Sequence, residues 1–299
     1  MNLLKSFMPE LDGPLKNRRA ACALRTCRAT QLMRSLPGSR PGVRVGTDWY
    51  CSVDCFAEAA RTQLESLCSR RVVEITRHPR LSLGLILLSK NYLTSEQLRV
   101  ATAQSQSFDE DIDETLVSLG MVTERQLAAA RSAQWGYPML APGSVGQIVE
   151  ADIPKTILNA CRAVPLHYSS TARRIVLGFS SRVEHRCLEV IEETTRCRVE
   201  PCIVTPTDFE EQMERVATPP HYEEIVIGDP GSPEAMARTV GRIAVQVAAR
   251  EATFASYRNL VLARVTGKRG VADIVFCLQC RTAAEIGEQS DIFKEAIAV

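Results

Sequence analysis

Aromatic residues are scarce in this 299-residue chain: Phe, Trp and Tyr together make up 5%. With so few rings, it has little of the aromatic interleaving on which single-stranded nucleic acid stacks, and no specific nucleic-acid partner is expected. Charge of either sign is not in excess. The formal net charge is +1, so no global field draws the protein to nucleic acid or to an anionic membrane. No apolar run approaches the roughly 20 residues of a membrane helix. The most tempting stretch, residues 81–88, is far too short. Residues 1–8 do not make a secretory signal, because their apolar core is short and the acids Glu10 and Asp12 follow. We therefore expect a cytoplasmic protein without membrane insertion. The four histidines, His78, His167, His185 and His221, are scattered and form no Ser/His/Asp or Cys/His arrangement. No G-x-x-x-x-G-K-[ST] occurs. Gly267-Lys268 lacks the upstream Gly and the following hydroxyl of a phosphate-cradling loop. No enzymatic activity is expected.

Cysteine, by contrast, is abundant, at 11 residues, in a chain expected where disulfides are rare. Cys22 and Cys27 form one close pair, and Cys51 and Cys55 form another. Two close pairs separated by a couple of dozen residues fit a tetrahedral site of four thiolates, which points to structural zinc. A strand over residues 43–50 leading into the second pair, and a helix from about Asp54, resemble a treble-clef zinc knuckle. Lys16, Arg18, Arg19, Arg25, Arg28, Arg34, Arg40 and Arg44 lie in a window without an acid. Four thiolates around Zn²⁺ leave about −2, which such cations offset. The alternative is free cysteines in a basic tail. Cys68, Cys161, Cys187, Cys197 and Cys202 sit in apolar or strand contexts and read as core thiols. Cys277 and Cys280 form a C-x-x-C inside a strand-like run, away from the helix start that a redox pair prefers.

The length suggests about two domains. Along the chain we read a cysteine-rich zinc-knuckle region (1–70), a helical repeat (71–140), a small α/β lobe (141–218), a polar Pro- and Gly-rich linker (219–232) and a region of one amphipathic helix and a β-hairpin (233–299). The fold class is α+β. Within 141–218, strands are expected near 162–168, 174–179 and 198–204. Helices are expected over 186–195 and from Thr207 to about Val216. In the last region, Pro233 suits a first helical turn. The runs 260–265 and 271–278 flank a turn at Gly267-Lys268-Arg269-Gly270.

The repeat is the most specific signal. Thr94 with Gln97, and Thr123 with Gln126, are two capping boxes 29 residues apart. Each follows an apolar run and precedes a helix with Leu-x-x-Ala: Leu98 and Ala101 in the first, Leu127 and Ala130 in the second. With Gly84, Gly120 and the strand Ala163-Val164-Pro165-Leu166, this pattern resembles the N-terminal domain of type II secretion and type IV pilus assembly ATPases of the GspE, PilB and MshE type. The resemblance covers residues from about 80 to 216. More weakly, residues 235–276 follow the helix, strand and hairpin that open the next domain of those ATPases, but Ala252-Thr253-Phe254-Ala255-Ser256 replaces the family's A-S-D-I-H run.

That resemblance implies a stand-alone regulatory or adaptor module without its motor. It would dock a protein partner, such as a secretion or pilus platform component. The acidic run 109–114 and the basic window 16–44 would be the candidate contact surfaces. In some family members the paired motifs bind cyclic di-GMP through Arg side chains and closely approached glycines. Here Ser82 and Asp111 stand at the two Arg positions. Asn91 and Asp113 stand where glycines are expected, and only Arg80, Gly84 and Gly120 remain to serve a nucleotide. Cyclic di-GMP binding by a degenerate motif is thus the alternative to partner docking, and the acids make it the less favoured one.

Overall fold

In the computed structural model, the described residues are 21–28, 42–69, 81–108, 111–140, 148–169 and 171–278. They form two compact units. One takes the described residues of 21–69 together with 227–254 and 261–278; the other takes 81–226 and 255–260. The class is α+β, as expected.

The first unit begins with strands β1 (Val43–Val45) and β2 (Asp48–Tyr50) and helix α1 (Val53–Ser69). One strand was expected over 43–50, but Gly46 adopts φ +59° and turns the chain into a hairpin. Left-handed backbone of this kind costs Gly little. Near the C-terminal end come α9 (Pro233–Gln246), β9 (Ala249–Tyr257), β10 (Leu260–Gly267) and β11 (Gly270–Cys277). Ser232 caps α9 by accepting the Ala235 N–H, with Pro233 in the first turn as expected. The neighbour order of these strands is β2-β1-β9-β10-β11, and β8 spans Tyr222–Ile227. β8 lies inside the stretch read as a linker, and β9 was not anticipated. Short strands of mixed polarity carry little period of their own, and pairing decides them.

The second unit opens with the repeat: α2 (Leu83–Ser89), α3 (Ser95–Phe108), α4 (Ile112–Ser118) and α5 (Glu124–Trp135). A shift of 29 residues carries the start of α2 onto that of α4 and of α3 onto that of α5. The hydrogen bonds repeat too. Thr94 N–H donates to Gln97 Oε1 at 2.9 Å, and Thr123 N–H does the same to Gln126. Each threonine hydroxyl accepts the N–H of its glutamine at 3.2 Å. Tyr92 N–H reaches Leu87 O, as Met121 N–H reaches Leu116 O. Asn91 and Gly120, also 29 apart, both turn left-handed after the short helices, at φ 54° and 66°. Leu87 with Leu116, Leu93 with Val122 and Ala101 with Ala130 fill one shared core. Each buried leucine contributes about 1.5–3 kcal/mol, so the two copies stabilise each other where neither could close a core alone.

The lobe follows: β3 (Val149–Glu150), α6 (Lys155–Cys161), β4 (Ala163–Ser169), β5 (Arg174–Phe179), α7 (His185–Thr195), β6 (Arg198–Ile203), α8 (Pro206–Glu214) and β7 (Val216–Ala217). β4 and β5 are antiparallel, and β5 and β6 parallel around α7. β3 and β7 form a separate parallel pair. These strands and helices lie close to the expected ones. α8 starts earlier, because Thr205 caps it by accepting the Asp208 N–H at 3.0 Å, with Pro206 in the first turn.

Candidate metal centre

The sulfurs of Cys22, Cys27, Cys51 and Cys55 all lie within 4.8 Å of one another. Cys27 and Cys51 Sγ are 3.5 Å apart, and Cys51 and Cys55 Sγ 3.7 Å. Four thiolates at about 2.3 Å from a tetrahedral Zn²⁺ stand about 3.8 Å from each other, so the set has the dimensions of such a site. Local structure supplies each pair. Leu24 O accepts the Cys27 N–H at 2.9 Å, turning the first segment so that Cys22 and Cys27 converge. Cys51 follows β2 directly, and Ser52 heads α1: its hydroxyl accepts the Cys55 N–H at 3.2 Å and its carbonyl the Phe56 N–H at 3.0 Å. Cys51 and Cys55 thus flank a helix N-terminus, whose partial positive charge favours thiolate.

Cys22 and Cys51 are buried, Cys27 and Cys55 half-buried. Burial, and after it hydrogen bonding with the Cys27 and Cys55 thiols, pushes the Cys51 thiol up to about 12. Burial also raises Cys55, against the lowering contact of the Ser52 hydroxyl. Crowded thiols that resist ionisation, as Cys51 and Cys55 do, are poor company unless a cation takes their charge, and a thiophilic divalent ion does so. The donor set fits the metal. Of the basic window, Arg25, Arg28 and Arg44 are described and exposed; Lys16, Arg18, Arg19, Arg34 and Arg40 lie outside the described residues.

The remaining cysteines divide. Cys197 and Cys202 are buried thiols outside any disulfide, as expected. Cys161 and Cys187, read as core thiols, are buried but joined as a disulfide between the end of α6 and the first turn of α7. Nothing local in the sequence pairs positions 26 apart. Cys280 lies outside the described residues.

At the repeat, two of the residues expected to serve a nucleotide, Gly84 and Gly120, have structural roles. Arg80 lies outside the described residues. A Cβ on Gly84 would sit 3.0 Å from Leu98 Cδ2, so Gly84 lets α2 and α3 pack closely. Gly120 supplies a left-handed turn. Ser82 caps α2 by accepting the Leu85 N–H, and Asp111 caps α4 by accepting the Asp113 N–H, each at 3.3 Å. Asp113 was read as part of an open acidic run, yet its side chain is only 16% exposed and is paired with Arg131, itself 8% exposed. Arg131 also donates to Ser180 O of the lobe. Burial raises the Asp113 pKa, and Arg131 opposes that rise. The Arg131 role was hidden because an arginine in an exposed-looking helix reads as surface. Its position beside Leu127, Ala128 and Ala130, on the buried side of α5, was the available signal. Asp109 and Glu110 lie outside the described residues.

A second polar cluster escaped sequence reading. Glu184 accepts from the Tyr257 hydroxyl at 2.6 Å, from Arg258 and from Arg182 Nε at 3.2 Å. Burial raises the Glu184 pKa, but the Tyr257 and Arg258 hydrogen bonds and the nearby arginines outweigh it, leaving a net depression. A folded pKa below the unfolded one means that the contribution is present above about pH 4.5 and decays as pH falls through the folded value. Glu184→Gln is expected to cost about 1.5–3 kcal/mol near neutrality. In urea midpoints measured from about pH 6 to pH 3, the gap to wild type should narrow as the acid limb is entered. A constant gap would sink this account.

These features define a class: a chain with one unit of helical repeat and α/β lobe and another that carries a four-thiol centre. No protein-family model matches the chain. The type IV pilus assembly ATPase PilB of Thermus thermophilus is 27% identical over 153 residues, which cover 50% of this chain and 17% of PilB. The chain therefore spans less than a fifth of that relative. Among solved structures, MshE with cdg aligns over 46% of this chain and 100% of that one, at 19% identity and a TM-score of 0.39. The N-terminal domain of XpsE aligns over 47% and 97%, at 16% identity and a TM-score of 0.38. The PilB similarity extends over about half of the chain, in line with the likeness to secretion and pilus ATPases carried by the repeat. Among the described residues, no helix is long and apolar enough to cross a membrane.

Proposed function

We propose that this protein is a non-enzymatic regulatory or adaptor module of the secretion and pilus ATPase type, which docks a protein partner and carries one structural Zn²⁺ on Cys22, Cys27, Cys51 and Cys55. The similarity to PilB carries the reading. Beside the charged surfaces expected from sequence, an apolar one offers itself. Asp113 is occupied by Arg131, whereas Leu81 and Leu85 stand 58% and 56% exposed, four residues apart at the start of α2. Two large apolar side chains at that spacing are suited to anchor a partner. The test is binding of the purified chain to the cytoplasmic part of a secretion or pilus platform component from the same cell. Wild type should bind, and Leu85→Asp should weaken binding by roughly tenfold or more. Failure to bind any platform component would end the docking reading.

The alternative is a cyclic di-GMP sensor. MshE, with its bound cyclic dinucleotide, and the retained Gly84 and Gly120 favour it. The packing of Gly84 and the pairing of Asp113 weigh against it. Calorimetric titration with cyclic di-GMP is expected to give no binding, and micromolar affinity would make this chain a second-messenger receptor.

A further inference from the structure

The metal centre closes an end of the chain whose two strands have little else to hold them, although α1 buries Phe56, Ala60, Leu64 and Leu67. β1 and β2 have three residues each, and so short a hairpin is marginal by itself in water. β1 meets β9 in parallel through two residue pairs, Arg44 with Glu251 and Val45 with Ala252. Yet the hairpin buries Val43, Trp49 and Tyr50. The cysteines are tied directly to these contacts. Trp49 O accepts the Ala23 N–H at 2.9 Å, one residue from Cys22. Cys51 follows Tyr50 without a gap. On the helix side, Phe56 follows Cys55, is fully buried, and holds its ring 6.4 Å from that of Phe254 on β9. One residue on, Ala57 faces Gly241 of α9, where an added Cβ would lie 3.5 Å away. Cys22 is therefore one residue from a bond to β2, Cys51 follows β2 directly, and Cys55 is one residue from the packing of α1 on β9.

We infer that a thiophilic divalent metal at this centre controls whether the edge of β9 is covered: bound metal holds β1 against β9 and α1 against α9, and metal loss opens both. The inference rests on the zinc reading above. With the metal gone, β9 keeps β10 on one side and presents free backbone on the other. A sheet edge in that state accepts a further strand. The centre would thus make the exposure of a pairing edge depend on metal supply, which a purely local knuckle could not do.

The test is hydrogen exchange by mass spectrometry on the full chain, zinc-loaded and chelator-stripped, with metal content measured on the same samples. One zinc per chain is expected. Stripping should speed exchange in 43–69 and also in 236–246 and 249–254, while β4, β5 and β6 stay protected. A chain that takes up no metal after zinc reconstitution overturns the zinc reading itself. Bound zinc whose removal loosens only the cysteine segments, or loosens β4–β6 equally, overturns the inference and leaves the zinc reading intact. Phe56→Ala, which keeps all four cysteines, should retain its zinc yet exchange roughly tenfold faster over 249–254. Unchanged protection there overturns the inference as well.

Discussion

Cys51→Ser is expected to reduce zinc from about one per chain to almost none and to unfold the β1–β2 hairpin with the first turns of α1. Cys51 is the most buried of the four ligands, and its sulfur is within 3.7 Å of two others. Serine offers a poorly ionised oxygen in place of a thiolate, and a structural zinc site keeps no spare ligand. Small thiolate sites bind zinc with apparent free energies of about 10–16 kcal/mol. That rivals the roughly 5–15 kcal/mol that holds a whole domain folded, so loss of the metal outweighs any other single contact at this end of the chain. Metal analysis beside thermal unfolding, with and without chelator, checks this. Affinity should also fall as pH drops, because zinc must displace protons from thiols such as Cys51, whose pKa lies near 12 without metal. Full zinc content in the variant, or a chelator-insensitive melting curve, would remove the metal from the account.

The second large effect is expected at Arg264 and Asp273, which face each other on β10 and β11 inside the first unit. Arg264 Nε donates to Asp273 Oδ1 at 2.8 Å and Nη2 to Oδ2 at 2.5 Å, with the side chains 5% and 0% exposed. A two-pronged pair matches the planar guanidinium to the carboxylate. Taking two charges out of water offsets much of their attraction, so the intact pair adds little net stability. Removing one partner strands a buried charge and costs about 3–5 kcal/mol. Asp273→Ala should therefore lower the urea midpoint steeply. The double replacement Arg264→Met, Asp273→Leu should recover much of that loss, since well-packed apolar side chains can substitute for such a pair. Equal damage from the single and double variants would mean that the pair holds the hairpin by something other than charge compensation.

What could be read from the chain without its fold follows physical range. Thr94, Gln97, Thr123 and Gln126 were legible as caps because each box closes within one helical turn. The pairs Leu87 with Leu116 and Ala101 with Ala130 were legible because the pattern recurs at one fixed spacing. The strands β4, β5 and β6 announce themselves by short β-branched and apolar runs. β9 did not, since Arg250, Glu251 and Thr253 interrupt its apolar residues and only its neighbours make it a strand. Asp113 was misjudged as open charge for the same reason: its partner Arg131 is 18 residues away, and no local rule joins them. The Cys161–Cys187 disulfide and the Glu184 cluster are likewise contacts between elements far apart in the chain.

The sequence by itself determined the two-copy helical repeat, its caps and its likeness to the pilus and secretion ATPases, and it named the four cysteines, because spacing, periodicity and residue chemistry act within a few turns of chain. Only the tertiary structure decided that those four sulfurs converge, that β1 runs beside β9 some two hundred residues later, and that Gly84 and Asp113 serve packing and pairing. Those outcomes depend on which distant surfaces bury each other, and burial between remote segments leaves no period in the chain that makes it.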